Sequence, residues 1–187
     1  PIVVNPRDCV PKDYIRNNIK DNMKLIPKDK FIEKCRTHTD HAIIISGGPN
    51  IDYKKLKETL DKHPKAFTMC VKHAYPGLIK NNIKPDACIL LDPRSIEGES
   101  THGVKRKDLL KDLDEDTKFL VASMTDPSVT NYLMEKKADI WGWHAFTESL
   151  RDDEDRKHAI KNNQVKIRED VGLPVGATLI TGGTCAA

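Results

Sequence analysis

The spacing of hydrophobic positions changes once along the chain. In the first forty residues it is helical: Tyr14, Ile15, Ile19, Met23 and Ile26 form a stripe, with polar Arg16, Asn17, Lys20 and Lys24 between them. Pro27 ends that helix, and a second short helix is expected to hold Phe31, Ile32 and Cys35. From residue 42 short β-rich runs alternate with helical stripes. AIIIS (42–46), AFTMCV (66–71), ACILLDP (87–93), KFLVASM (118–124) and ADIWGWHAF (138–146) read as strands. Tyr53, Leu56 and Leu60 mark a helix after the first run, and residues 75–80 a short one after the second. Asp126-Pro127 starts another, with a side-chain cap and a proline in its first turn.

Strand–helix alternation of this kind predicts an α/β fold: a Rossmann-like three-layer sandwich with a mostly parallel sheet and helices on both faces. The third run is almost continuously apolar, as strands buried on both faces are. We divide the chain into a helical N-terminal arm, 1–40, and one α/β domain, 41–187. Two stretches fall outside the alternation. Residues 94–116 begin as a polar loop and continue as a charged helix, and residues 147–171 form a second charged helix; both read as solvated connecting surface, with the loop after the third strand alternatively a lid.

Charge changes the picture little. The net charge is +3 with 32% charged residues, and Lys and Arg are interleaved with Asp and Glu, so nucleic acid is not an expected partner. No apolar run has the length of a membrane span. The five cysteines (Cys9, Cys35, Cys70, Cys88, Cys185) form no C-x-x-C pair, which argues against a disulfide framework or a structural zinc site. A cytoplasmic location is the expectation.

In parallel sheets ligands bind beyond the carboxyl ends of the strands, so the candidate chemistry is sought there. The first strand runs into Ser46-Gly47-Gly48-Pro49-Asn50. This turn is either a phosphate cradle opening a helix or a plain corner, and it matches neither a dinucleotide fingerprint nor a P-loop. The second strand ends in Lys72-His73, a cation and an imidazole suited to phosphate or sugar. The third ends in Asp92-Pro93-Arg94, where Asp92 is either a structural cap or a ligand to a hydroxyl or Mg²⁺. The fourth ends in Ser123, Met124, Thr125 and Asp126, read as capping residues. Thr181-Gly182-Gly183-Thr184 has the look of a second backbone nest.

Histidines and tryptophans add weaker candidates. His38, Asp40 and His41 have metal-like spacing but no third strong ligand nearby, and read as surface histidines. His102 and His144 are candidate bases, since an imidazole titrates near working pH. Trp141-Gly142-Trp143 reads either as core packing or as a platform for a sugar or pterin ring.

SGGPNID, CVKHAYPGL, NNIKPDACILLDP and ITGGTCAA, in that order, resemble the MptE-like domain of archaeal 6-hydroxymethylpterin diphosphokinases and of motility-associated (Maf) glycosyltransferases. The layout is also similar to that of bacterial sialyltransferases that use CMP-activated sugars. The resemblance covers about residues 40–187. It implies that Gly47, Gly48, Pro49 and Asn50 contact nucleotide phosphates or ribose, that Asp92 and Pro93 stand beside the donor, and that Thr181, Gly182 and Gly183 hold the nucleotide from the opposite side. Asn50-Ile51 departs from the family's Ser-Leu, although Asn50 can still cap the helix. Asp92 departs from the asparagine that sialyltransferases prefer, and an acid suits a metal or hydroxyl better than a second anion.

The function expected from these residues is nucleotide-dependent transfer. The first expectation is a glycosyltransferase with a nucleotide-sugar donor, a glycan or protein acceptor and His144 as base. The alternative is a 6-hydroxymethylpterin diphosphokinase with ATP, a pterin acceptor and Mg²⁺ held partly by Asp92. The second alternative is a non-catalytic nucleotide-binding module. Because the family implies a further helix and strand after the Thr181 turn, the 187 residues are expected to be C-terminally incomplete, or their site to be completed by another subunit of a homo-oligomer.

Overall fold

A computed structural model describes residues 10–32, 41–48, 50–99, 103–146 and 179–181. Six parallel strands form one sheet: β1 (Ala42–Ile45), β2 (Phe67–Val71), β3 (Ala87–Leu90), β4 (Lys118–Ala122), β5 (Asp139–Phe146) and β6 (Leu179–Thr181). They lie side by side in chain order, β1 to β6. The expected α/β sandwich with a parallel sheet is therefore what forms. The strand order never reverses among the described residues, so every crossover steps the same way. Right-handed connections then fall on a single face.

That geometry accounts for two cores. On one face, α2 (Tyr53–Lys62), α3 (Tyr75–Lys80) and α4 (Pro127–Glu135) pack with Ile45, Cys70, Leu90, Phe119 and Val121. The other face is covered by α1 (Lys12–Leu25), whose Ile15 and Ile19 bury against Ala122, Met124, Trp143 and Ala145. Alternation along β4 shows the division: Phe119 and Val121 face the first core, Leu120 and Ala122 the second. Cys70 and Cys88 are buried and stand in register across β2 and β3.

Residues 28–32 differ from expectation. After a 3₁₀ turn, Lys28–Lys30, Phe31 pairs with β5 and Ile32 N donates to Gly142 O at 2.8 Å, where the second helix was expected to begin; Cys35, its last expected member, lies outside the described residues. Backbone pairing with an otherwise open stretch of strand edge outweighs the local helical pattern. Gly142 belongs to this contact: a Cβ there would lie 2.5 Å from the Phe31 ring.

The 94–116 stretch is also corrected. Its helical part is a 3₁₀ turn, Arg106–Leu110, with Arg106, Leu109 and Leu110 buried. The charged helix expected over 147–171 lies outside the described residues.

Candidate functional site

The carboxyl ends of β1, β2 and β3 meet along one edge, and the sequence candidates gather there. Gly47 packs against β2's exit: an added Cβ would stand 3.1 Å from His73 Cβ and 3.3 Å from Val71 Cγ2. At Gly48 an added Cβ would meet no atom of the described residues within 4 Å. Neither glycine takes the left-handed backbone, which among the described glycines Gly103 alone adopts, so close approach rather than torsional freedom distinguishes them. Pro49 lies outside the described residues. The cap of α2 is Asp52, which accepts from Lys55 N at 3.0 Å; Asn50, the expected cap, is exposed and precedes it by two residues. A carboxylate already occupies that helix end, so the helix dipole is not an open anion site.

Asp92 is the centre of the edge. Its carboxylate accepts from Lys72 Nζ at 3.0 Å, from Arg94 Nε at 2.8 Å and Nη2 at 3.1 Å, from Arg106 Nε at 3.1 Å and from Arg94 N at 3.2 Å. Burial by itself would raise its pKa. The hydrogen bonds from Arg94 and Lys72 and the Lys72 charge outweigh that and hold the carboxyl well below the usual carboxylate range.

Three cations converge on the Asp92 carboxylate. The side chains of Lys72 and Arg106 are only 10% and 7% exposed. Lys72 has three N–H donors and spends one on Asp92; Arg106 has five and spends one on Asp92 and one on Ser95 O at 2.8 Å. Buried charged donors normally find partners, so this surplus makes the edge a candidate place for an anion.

The loop after β3 holds Arg106 there. Arg106 N donates to Gly98 O at 3.0 Å, and a Cβ on Gly98 would collide with Arg106 Nη1 at 2.2 Å. Glu97 pairs with Lys107 at 3.2 Å. Arg94 and Arg106 were not among the sequence candidates. The signal for Arg106 was its placement three and four residues before the apolar Leu109 and Leu110, which puts them on one buried face.

The ends of β4 and β5 have a different character. Asn18 Nδ2 donates to Pro93 O at 3.0 Å and Met124 O at 3.1 Å; Asn22 Nδ2 donates to Ser123 O at 2.9 Å and Thr125 O at 2.5 Å. Thr130 Oγ1 donates to Asn22 Oδ1 at 2.6 Å. Asp126 caps α4 by accepting from Ser128 N at 2.9 Å, as expected, and also accepts from the Tyr14 hydroxyl. That hydrogen bond, with burial, raises the Tyr14 pKa.

His144 belongs to this second group. It is 4% exposed, its Nδ1 lies 3.0 Å from Ser123 Oγ, and its ring stacks on Phe31 at 4.8 Å. The tryptophans are engaged too. Trp143 is buried with Nε1 donating to Leu120 O at 3.0 Å; Trp141 donates to Asp139 at 3.1 Å beneath Lys30, 4.5 Å from its ring.

Thr181 ends β6, three strands from β3 and five from β1. At about 4.8 Å per strand that is roughly 14 Å and 24 Å, so one nucleotide touching both glycine turns would have to lie along the whole edge. Gly182, Gly183, His38, Asp40 and His102 lie outside the described residues. Among the described residues no three His, Cys, Asp or Glu side chains are grouped to hold a metal ion, and no helix is long and apolar enough to cross a membrane.

The model of one protein family, described as 6-hydroxymethylpterin diphosphokinase MptE-like, matches residues 14–180. No curated protein and no solved structure matches the chain. The chain belongs to the MptE-like family.

Proposed function

We propose that this MptE-like protein is a nucleotide-dependent transferase that holds the phosphates of its donor at the Asp92 cluster, and that the reaction is diphosphoryl transfer from ATP to a hydroxymethylpterin. The observation that carries this is the surplus of buried cationic donors on Lys72 and Arg106. The family's description supplies the acceptor class. In such a transfer Lys72, Arg94 and Arg106 would neutralise the β- and γ-phosphoryl oxygens, and the Gly48 turn would leave room for the donor. The acceptor hydroxyl oxygen would bond to the β-phosphorus as that phosphorus parts from the bridging oxygen, AMP leaving with that oxygen. Magnesium, where bound, would add charge neutralisation, taking its ligands from phosphate and water.

Glycosyl transfer, the first expectation from the sequence, relied on His144 as base, and His144 is buried between Ser123 and Phe31. It is therefore the alternative outcome of the test. Thermal shift with ATP and Mg²⁺, hydroxymethyl-dihydropterin, and CMP-, UDP- and GDP-sugars would be followed by an assay for AMP. A ligand at a hundredfold excess over its Kd adds about 2.7 kcal/mol of stability. AMP formation dependent on the pterin is the expected result. Stabilisation by a nucleotide sugar with none by ATP would replace diphosphoryl with glycosyl transfer, and ATP binding without turnover would leave a binding module.

A further inference from the structure

Asp92 is the acid that Lys72, Arg94 and Arg106 share, and the sequence left it either a structural cap or a ligand to a hydroxyl or Mg²⁺. The geometry gives it another occupation. A carboxylate offers about four lone-pair sites, and Asp92 receives five N–H contacts: two on Oδ1, both from Arg94, and three on Oδ2, from Lys72, Arg94 and Arg106. A divalent ion taking either oxygen would displace those donors while sitting within a few ångströms of their positive charges. Like charges at that range, in a site whose Lys72 and Arg106 side chains are 10% and 7% exposed, repel strongly.

We infer that Asp92 is a positioning residue, an internal counter-ion that holds Lys72, Arg94 and Arg106 ready for a phosphate chain, and that the cluster binds that chain without metal. This rests on the reading that the cluster takes phosphates. The roles of the cations differ by burial. Lys72 and Arg106 are fixed, the latter by Ser95 O and the packed Gly98 loop, whereas Arg94 is 40% exposed and is the cation that can turn outward. Asp92 and the incoming oxygens therefore compete for the same N–H groups. Removing the Asp92 charge takes from Lys72 and Arg106 the carboxylate they share, and leaves the phosphate chain to neutralise them.

The test uses tripolyphosphate as probe, with the wild-type protein and Asp92→Asn, by calorimetric titration and thermal unfolding in EDTA and in Mg²⁺. Wild-type protein is expected to bind tripolyphosphate in EDTA, with Kd no more than about threefold weaker than in Mg²⁺. Asp92→Asn is expected to melt lower when empty and to gain a rise in Tm on adding tripolyphosphate roughly twofold that of wild type. A purely structural Asp92 would lower the empty Tm and leave the rise unchanged; a metal ligand would shrink it. Either result overturns the inference. If Asp92→Asn does not fold when empty, refolding it in tripolyphosphate and EDTA gives the same readout: rescue supports the inference, and rescue only with Mg²⁺ overturns it. Wild-type binding that needs Mg²⁺ would overturn the metal-free claim and spare the proposed function. No tripolyphosphate binding in either buffer would overturn the phosphate reading itself.

Discussion

The carboxyl ends of β3 and β4 are neighbours, and they treat polar groups in opposite ways. After β3, one carboxylate faces three cations, and buried N–H donors are left over. After β4, the carbonyls of Ser123, Met124 and Thr125 are met by the amides of Asn18 and Asn22, and the Asn22 oxygen by Thr130. A satisfied network rigidifies, because breaking it strands buried groups. An under-satisfied one carries an energetic cost that a ligand can remove. The β4 end is a frame and, in the proposed function, the β3 end is the receptor; Asn18 joins them by also holding Pro93 O, next to Asp92.

The sharpest way to break this contrast is Asn22→Ala. It leaves Ser123 O, Thr125 O and the Thr130 hydroxyl without partners in the interior. At about 1 kcal/mol or more for each, we expect a loss of about 3 kcal/mol, read from the urea midpoint at constant m-value. A loss below about 1 kcal/mol would mean that the β4 loop holds without α1.

Lys72→Met should do the reverse. Arg94 and Arg106 still neutralise Asp92, so the unfolding free energy should stay within about 1 kcal/mol of wild type. Tripolyphosphate affinity should fall roughly tenfold to a hundredfold, the weight of a charged hydrogen bond. Unchanged affinity in calorimetry would remove Lys72 from the receptor.

The two glycines extend the comparison to β1. Gly47→Ala presses on His73 and Val71 and should cost about 1 kcal/mol. Gly48→Val meets no atom of the described residues at its Cβ, so stability should hold within about 0.5 kcal/mol while ATP affinity drops. Equal stability losses at the two positions, or full ATP affinity in Gly48→Val, would return the turn to a plain corner.

The smallest effect belongs to Lys30 and Asp139, a half-buried pair at 2.9 Å that serves as reference for both ends. Burial opposes ionisation of Asp139, but the hydrogen bonds from Lys30 and Trp141 prevail and lower its pKa. A lowered folded-state pKa gives stability that is present above the ordinary carboxylate pKa and is lost as pH falls through the folded value. Asp139→Asn should therefore cost less than about 1 kcal/mol at pH 7, with the difference from wild type fading below about pH 4. A difference that grew on acidification would contradict the assignment.

Much of this was legible in the sequence because it depends on short-range pattern. The first five strands came from apolar runs, α1 from its 3.6-residue stripe, and the cap of α4 from Asp126-Pro127. The convergence of Gly47, Lys72 and Asp92 followed from the rule that parallel strands bring their carboxyl ends to one edge. The residues themselves determined that much, since each element's period and end signals are local.

The tertiary structure alone decided the rest. Asn18 and Asn22 stand three and seven residues after Ile15, on the apolar stripe itself, and nothing local names their partners; they are satisfied because α1 lies across the β4 end, over a hundred residues away in the chain. Arg106 looked like part of a charged surface run, and was drawn inward by Asp92, fourteen residues before it. Phe31 left its helical pattern to cover Gly142, and by stacking on His144 enclosed a residue that sequence had offered as a base. In each case the partner is distant in sequence, and the free energy of satisfying a buried polar group or covering an apolar surface exceeds the few tenths of a kilocalorie by which local preference differs.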